Sequence, residues 1–362
     1  MLEHDGWLAW NEEAWGLTPL RVAYGGTRPD EARLEGVLYL TKRGKVQLPP
    51  RNPYLPLRFT PTATRRRDRI EHQRLELVGA LAEDLARRGT IGTISFPPGF
   101  LDVRPFQWRG FESSLRYTYL LALPFRPESL PKELASQIRA ATRSCLHTER
   151  TDDWASVAAC LVATENRKGF RHHTPERVLR RLQGYLGDER LRAFLTSLPD
   201  GTVVGSLLRL HTPGGTTIAW SQGTPRRYLR LGAVPFGVAA ALRDVSEGGA
   251  LQYDFAGANM PSVARFKSAW GAPLVAYATI SYPGPRDAAR QGARALKLAL
   301  RSAFVRSAFV RSAFDRSNFV RSAFDRGPSV GGAFGGRRRP SDERESTGSD
   351  PQRATAAATL ST

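Results

Sequence analysis

The residues best suited to chemistry lie between positions 253 and 282. A strand is predicted to end near Asp254, and the small residues 256–259 that follow let the backbone approach a ligand or another segment closely. A short helix then carries Phe266 and Lys267. A lysine at the end of such a helix, beside a glycine turn, can polarise a carbonyl or a phosphate group. The alternative is that Lys267 is a solvent-exposed charge and Phe266 a core residue.

A second candidate is an anion site in front of a helix predicted to start near Pro235. Gly232 precedes that helix, and Arg227 and Arg230 come just before the glycine. Helix N-termini bind anions through backbone N–H groups, and arginines add positive charge. Arg227, Arg230 and Gly232 are therefore predicted to bind phosphate.

Several familiar catalytic patterns are missing from the sequence. It holds no GxSxG, no Walker A motif, no HExxH and no signature of a cysteine nucleophile. His172 and His173 are adjacent, and neighbouring residues point to different sides of a helix or strand. We therefore predict neither a metal site nor a cofactor.

Three segments together resemble the FemAB peptidyltransferase family and its acetyltransferase-like relatives in the GNAT superfamily. Residues 48–57, LPPRNPYLPL, are similar to the LPP…PY loop of that family. Residues 102–120 are similar to its R-P-F-x-W-x-G…Y-T-Y segment, and residues 253–282 to its strand, D-F-G-G turn, F-K helix and W/F-G. The resemblance implies an α/β fold of tandem GNAT-like domains, each a mixed central sheet flanked by helices.

The resemblance also implies transfer of an acyl or aminoacyl group to an amine. The donor is aminoacyl-tRNA in the peptidyltransferases, with a peptidoglycan precursor as acceptor, and acyl-CoA or an acyl carrier in other relatives. The implied mechanism is direct aminolysis of an activated ester without a covalent enzyme intermediate. Such an enzyme holds two substrates together and stabilises the oxyanion.

Residue roles follow from the same resemblance. Lys267 matches the lysine that faces the donor ester and stabilises the oxyanion, and Asp102 falls near a carboxylate proposed as the base. Asp102, Asp254 or the substrate itself could take the proton of the amine. Seven residues are candidates for substrate binding, with packing as the alternative role. They are Phe266, Arg104, Trp108, Tyr117, Tyr119, Asp254 and Asn259.

The sequence also departs from the family pattern. The D-F-G-G turn reads D-F-A-G at residues 254–257, and the spacing at residues 230–233 is too short for the R/Q-x-x-G-x-G/A loop that holds the pyrophosphate of coenzyme A. No long heptad segment matches the coiled-coil arm of some tRNA-using members. The unmatched pyrophosphate loop argues mildly against coenzyme A as the donor, while the departures together leave both substrates open.

Periodicity and turn signals predict the elements that position these residues. Helices are predicted near residues 67–88, 127–149, 152–164, 175–186, 235–246 and 261–270. Strands are predicted near residues 34–41, 91–96, 116–123, 191–197, 203–210, 216–221, 251–255 and 273–282. This order is typical of a mixed α/β fold built on central sheets.

The chain divides into four predicted parts. A first GNAT-like half on the acceptor side covers residues 1–126, a connecting helix covers 127–150, and a second GNAT-like half covers 151–285. Residues 286–362 hold a helix, five RSAF-type repeats and a basic low-complexity tail. A five-residue period gives no single apolar face, so the repeats are either a sequence expansion or an Arg/Phe surface that stacks on RNA bases.

Composition limits the class of protein. The net charge is +19, and residues 286–362 carry less than half of it, so the folded part is itself basic and suited to polyanions. The two cysteines make no disulfide framework, the N-terminus has no signal-peptide pattern, and the apolar stretches are only strand-length. We therefore expect a cytoplasmic protein. A non-catalytic RNA- or nucleotide-binding pair of GNAT-like domains is the alternative from another class.

Overall fold

A computed structural model of the chain describes residues 1–28, 30–169 and 174–283. The helices are α1 (Asp5–Trp15), α2 (Arg67–Arg88), α3 (Arg104–Gln107), α4 (Lys132–Arg143), α5 (Trp154–Lys168), α6 (Glu176–Arg190), α7 (Ala233–Glu247) and α8 (Pro261–Ser268). The strands are β1 (Thr18–Gly25), β2 (Arg33–Leu40), β3 (Val46–Gln47), β4 (Leu57–Thr60), β5 (Thr90–Ile91), β6 (Thr93–Ser95), β7 (Glu112–Ala122), β8 (His147–Arg150), β9 (Leu191–Ser197), β10 (Val203–Leu210), β11 (Thr216–Gly223), β12 (Gln252–Asp254) and β13 (Leu274–Ser281). The predicted helix of 286–300, the repeats of 301–325 and the pair His172–His173 lie outside the described residues.

The smaller sheet is built on β2. This strand runs antiparallel to β1 along its whole length, from Arg33 opposite Gly25 to Leu40 opposite Thr18. Its other edge pairs with β3 and β4, and β5 joins β3 in parallel. Helix α2 covers the sheet with an apolar stripe at helical spacing, since Leu77, Leu81 and Leu85 are buried.

The larger sheet has eight strands in the order β6-β13-β7-β12-β11-β10-β9-β8. All its pairs are antiparallel except β11 and β12, which are parallel and are joined by the crossover helix α7. Strand β7 lies between β12 and β13, although it comes from the N-terminal third of the chain. The sheet therefore joins residues from the first and second predicted halves.

The faces of the larger sheet carry separate apolar clusters. Leu208 and Leu210 on β10 pack on one side with residues of α5 and α6, and Leu207 packs on the other side with residues of α7. This alternation is the period-two pattern expected of a strand buried on both faces. Arg209 lies on the same side of the sheet as Leu207.

Some predicted elements have different bounds in the structure. The connecting helix predicted over 127–150 is too long, because α4 ends at Arg143 and His147–Arg150 forms strand β8 against β9. Cys145, with a positive φ of 52°, reverses the chain between them. The strand predicted at 91–96 is interrupted at Gly92, and the loop predicted at 100–112 contains the one-turn helix α3.

Within the described ranges, no helix is both long and apolar enough to cross a membrane. The same ranges contain no cluster of three or more histidine, cysteine or acidic side chains arranged to hold a metal ion.

Candidate active site

The site begins where β11 and β12 separate. The two strands pair in parallel only from Thr216 opposite Gln252 to Ile218 opposite Asp254. Strand β12 then ends, while β11 continues to Gly223. In open α/β sheets, ligands bind in the crevice outside the carboxyl ends of such strands. The residues after Asp254 and at the end of β11 therefore line the natural place for a ligand.

The turn after β12 is held by Asp254 on one side. Its Oδ1 accepts hydrogen bonds from Thr118 Oγ1 at 2.5 Å and from the backbone N–H of Ala256 at 2.7 Å. Ala256 and Gly257 both have positive φ, 52° and 69°. Glycine adopts this left-handed backbone without a steric penalty, whereas the Cβ of Ala256 makes the same conformation strained.

Lys267 holds the same turn from the other side. Its Nζ donates to the carbonyls of Phe255, Ala256 and Gly257, the last two at 2.6 Å. All three ammonium protons are therefore engaged with the backbone. The predicted alternative, a lysine simply exposed to solvent, does not describe this half-buried group.

The turn is also fixed to strand β7. The backbone N–H of Ala258 donates to the Tyr117 carbonyl at 2.6 Å, and Asn259 Oδ1 accepts from the Tyr117 N–H at 2.9 Å. The N–H of Phe255 donates to the Tyr119 carbonyl at 3.0 Å. Tyr117, Tyr119 and Asn259 thus anchor the turn in this structure.

The three segments singled out in the sequence converge here. Tyr54 comes from the 48–57 segment, Thr118 from the 102–120 segment, and Asp254 and Tyr277 from the 253–282 segment. The Tyr54 and Tyr277 rings meet edge to face with centroids 5.0 Å apart. Burial, and then the nearby carboxylate of Asp254, raise the pKa of Tyr54. One buried polar cluster therefore joins all three.

Burial shifts the titration of both charged groups of the turn. Asp254 is only 2% exposed, and burial raises its pKa, which the hydrogen bond from Thr118 partly offsets. Burial lowers the pKa of Lys267 to about 8, while Asp254 opposes the shift and Arg209 and Lys168 add to it. Lys267 is thus mainly an ammonium at neutral pH but loses its proton at modestly alkaline pH.

A cavity of about 220 Å³ lies beside Lys267. Its walls come from the end of α5, the end of β11, the start of α7 and one face of α8: Thr164, Arg167, Lys168, Gln222, Gly223, Thr224, Leu229, Val234, Ser262, Val263, Phe266 and Lys267. The charged members of this set are all basic. Burial, followed by the charge of Arg167, lowers the pKa of Lys168. The cavity is suited to an anionic group such as a phosphate.

The predicted phosphate residues do not line this cavity. Gly232 has a φ of 71°, and a Cβ there would lie 2.9 Å from the Gln137 carbonyl oxygen, so backbone geometry and packing on α4 account for the glycine. Arg227 lies over the Tyr228 ring at 4.7 Å. Arg230 is also outside the lining. Val234, at the start of α7, is the part of that helix that does face the cavity.

Asp102 belongs to a different cavity. That cavity measures about 470 Å³, lies against α2 and β4, and shares no lining residue with the Lys267 cavity. Both oxygens of Asp102 accept bonds from the Arg104 guanidinium at 2.8 Å. These bonds lower the pKa of Asp102 and so weaken it as a base. The structure does not bring Asp102 and Lys267 together in one cavity.

Of the two remaining candidates, Phe266 is packed against the core and Trp108 is exposed. Phe266 is half-buried, with its ring edge to face on Trp270 at 6.2 Å. Trp108 is 64% exposed and lines neither the Asp102 cavity nor the Lys267 cavity.

Three contributors were not predicted from the sequence. Thr118 was visible only as the middle of the Y-T-Y motif, and Lys168 only as one charge at a helix end. No sequence pattern pointed to Arg209. Its side chain is fully buried and donates hydrogen bonds to the Leu208 and Ser221 carbonyls. Its guanidinium also lies over the Tyr253 ring, 5.5 Å from the ring centroid. No carboxylate in the described ranges pairs with it, so its charge adds to the positive potential around Lys267.

The Thr118 to Asp254 hydrogen bond is expected to stabilise the fold. Replacing Thr118 with valine keeps the side-chain shape but leaves the buried carboxylate short of a donor, which costs about 1–3 kcal/mol. Urea unfolding at pH 7 measures the loss. Thr118→Ser, which keeps the hydroxyl, should lose much less, and equal stability of the valine variant and the wild type would contradict this interpretation.

The fold of the chain is shared with a solved structure, FemX. FemX superposes with a TM-score of 0.55 at 14% identity, over 77% of this chain and 91% of FemX. The C-terminal domain of a putative lysylphosphatidylglycerol synthetase from Agrobacterium fabrum gives 0.49 at 11% identity, over 78% of this chain and 89% of that domain. A tandem GNAT protein from the clavulanic acid biosynthesis pathway gives 0.38 at 16% identity, over 71% and 86% of the two chains. No sequence-family profile and no curated protein sequence matches the chain.

The chain therefore has the fold of FemX. The predicted resemblance to the FemAB family and its GNAT relatives is confirmed at the level of the fold. The predicted mixed α/β fold, with mixed sheets flanked by helices, is confirmed as well.

Proposed function

We propose that the protein is an acyl- or aminoacyltransferase that moves an activated acyl group onto an amine in the Lys267 cavity. The observation that carries the proposal is the cavity itself. It lies at the carboxyl end of the parallel β11/β12 pair, its charged lining is entirely basic, and the three family-like segments meet beside it.

The phosphate part of the donor is proposed to bind at the basic end of the cavity. Arg167 and Lys168 at the end of α5 face the first turn of α7 across the cavity. Backbone N–H groups in a first helical turn have no acceptor within the helix and favour anions. In aminoacyl-tRNA, one ribose separates the activated acyl ester from the nearest phosphate, whereas in acyl-CoA the pantetheine arm separates the thioester from the pyrophosphate. The compressed spacing at residues 230–233 favours the tRNA donor.

The chemistry is a direct aminolysis. The amine nitrogen attacks the acyl carbon, a C–N bond forms, and the C–O bond of an ester or the C–S bond of a thioester breaks. Negative charge develops on the carbonyl oxygen at the tetrahedral stage. The Lys267 ammonium lines the cavity while holding the turn, so its charge is already in place to stabilise that oxygen without reorganising.

The proton of the amine is proposed to leave with the donor. Asp254 is buried and already accepts two hydrogen bonds, and Asp102 lies in the other cavity with Arg104. Neither carboxylate lines the Lys267 cavity. The leaving alkoxide or thiolate then takes the proton, so the substrate itself supplies the base.

The acceptor is proposed to place its amine at the donor carbonyl in the Lys267 cavity, while the rest of the acceptor extends to the side of residues 1–126. A peptidoglycan precursor is the acceptor that the FemAB resemblance implies. Both proposed donors are cytoplasmic molecules, so we place the reaction in the cytoplasm.

Mass spectrometry of transfer tests the proposal. The full chain is offered charged tRNA or a mixture of acyl-CoA thioesters, each with a panel of amines that includes peptidoglycan precursors. Amide product from charged tRNA alone supports the Fem-type reaction, and product from acyl-CoA alone supports the N-acyltransferase. Bound tRNA without product from either donor contradicts the proposal and supports an RNA-binding function.

Neutralising Lys168 should weaken the donor complex. We expect Lys168→Met to raise the KM for the donor about tenfold while kcat changes little, because a lost charge-assisted contact to phosphate is worth roughly 1.4 kcal/mol. Steady-state kinetics with the donor varied measures both constants. Lys42→Met, which removes an exposed charge next to the smaller sheet, serves as the control. A fall in kcat at unchanged KM would contradict this role.

A further inference from the structure

Helix α8 presents three rows of residues at i, i+4 spacing, and each row faces a different space. Val263 and Lys267 face the Lys267 cavity, and Arg265 and Ala269 face a second cavity of about 320 Å³. The row between them, Ser262 and Phe266, lines both cavities. This middle row is therefore a wall that separates two adjacent spaces.

Almost all of that wall is the ring of Phe266. Ser262, one turn earlier, has a small side chain. The Phe266 ring packs edge to face against the buried Trp270, with ring centroids 6.2 Å apart, and this contact fixes the position of the ring in the wall. Because the serine adds little height, removing the ring would join the two cavities along this row.

The second cavity differs from the first in charge. Its other wall is the start of α4, where Leu134 and Pro131 are apolar and Glu133 is acidic. Arg265 lies opposite, so the acidic and basic side chains at this cavity balance. The balanced charge suits an uncharged or zwitterionic group. The entirely basic lining of the first cavity suits a phosphate.

We infer that the second cavity is the extension of the active site for the transferred acyl group, and that Phe266 limits how large that group can be. The inference rests on the proposed function. The phosphate part of the donor lies against Arg167 and Lys168, the carbonyl lies near Lys267, and the remainder of the acyl group points toward Phe266. In the wild type, small acyl groups stop at the ring. A shorter side chain at this position admits larger ones.

Stable donor mimics test the inference by isothermal titration calorimetry. Two probe series are used, acyl-CoA thioesters and adenosine 5′-monophosphates acylated through a 3′-amide, each with acetyl, hexanoyl or phenylacetyl groups and each with an unacylated parent. Phe266→Ala should improve the affinity ratio of phenylacetyl to acetyl probes by roughly tenfold, since added apolar contact in a pocket discriminates at about that level. The affinity of the unacylated parent should change by much less than this ratio.

Phe266→Leu keeps part of the packing on Trp270 and should give a smaller shift in the same direction. Leu115→Ala, at an exposed apolar side chain of β7 that lines neither cavity, is the control and should leave the ratio unchanged. Equal ratios in the wild type and both Phe266 variants, with the parent bound, would overturn the inference and leave the proposed function intact. Failure of both unacylated parents to bind the wild type would overturn the proposed function and the inference together.

Discussion

Replacing Lys267 with methionine is expected to lower the rate of acyl transfer by about 100-fold, or roughly 2.7 kcal/mol of transition-state stabilisation. Methionine keeps the length and apolar stem of the side chain but removes the charge at the cavity. Single-turnover rates with a saturating donor measure the effect, because they separate the chemical step from binding. Lys42→Met, which removes an exposed charge outside both cavities, is the control and should change the rate little.

The same substitution also removes three hydrogen bonds to the turn at Phe255, Ala256 and Gly257. A purely structural lysine would therefore lower stability and rate together. Lys267→Arg separates the two roles, because it keeps the charge but its planar guanidinium cannot cap three converging carbonyls. If charge carries the chemistry, the arginine variant stays well above the methionine variant in rate despite a comparable loss of stability. Equal rates for the two variants would show that Lys267 acts only by holding the turn.

The pKa of about 8 gives this prediction a pH dependence. Lys267 is an ammonium below that pH and an amine above it, so charge-dependent transfer should fall as the pH rises through about 8. Hydroxylamine is a suitable acceptor for the measurement, because it is already unprotonated at neutral pH and adds no titration of its own. A wild-type rate that stays flat from pH 7 to 10 would contradict a role for the ammonium charge.

The sequence predicted best those helices and strands whose buried residues recur at the period of the element itself. Helix α2 spans Arg67–Arg88 as predicted, because its leucines recur on one face. Strands β9 and β10 have their predicted bounds because a Pro-Asp-Gly turn separates them. Helix α1 was missed. Its two buried tryptophans, Trp7 and Trp10, pack on Trp220, which is distant in the sequence. A contact with a distant residue produces no periodic pattern within the helix itself.

The site was predictable to the extent that it lies within one segment. Lys267, Asp254 and Asn259 were all singled out, and the structure brings them to one turn. The pairing of Asp102 with Lys267 was an expectation from resemblance, and the structure places the two in separate cavities. Arg209 was invisible because its burial depends on which strands flank β10, and strand order is set by long-range pairing that a single sequence does not encode locally.

Gly223 fixes the distance between helix α5 and the end of strand β11. A Cβ on this glycine would lie 2.3 Å from the carbonyl carbon and oxygen of Cys160 and 2.5 Å from the backbone nitrogen of Leu161. These are backbone atoms of a buried helix, which cannot give way by rotating a side chain. We expect Gly223→Ala to lower the free energy of unfolding by about 3 kcal/mol or more, the upper range for overpacking. Denaturant unfolding followed by tryptophan fluorescence measures the change.

Gly205 on the neighbouring strand β10 provides the matched control. A Cβ there would meet the Thr224 hydroxyl at 3.4 Å and no backbone atom closer than 3.6 Å, so Gly205→Ala should cost less than about 1 kcal/mol. The clash at Gly223 also has a functional consequence. Helix α5 carries Arg167 and Lys168 to the cavity, so pushing it outward should weaken donor binding even in the fraction that remains folded. Equal stability of the two alanine variants would mean that α5 moves freely relative to β11, and a fixed basic wall for the donor phosphate would then be lost from the proposed site.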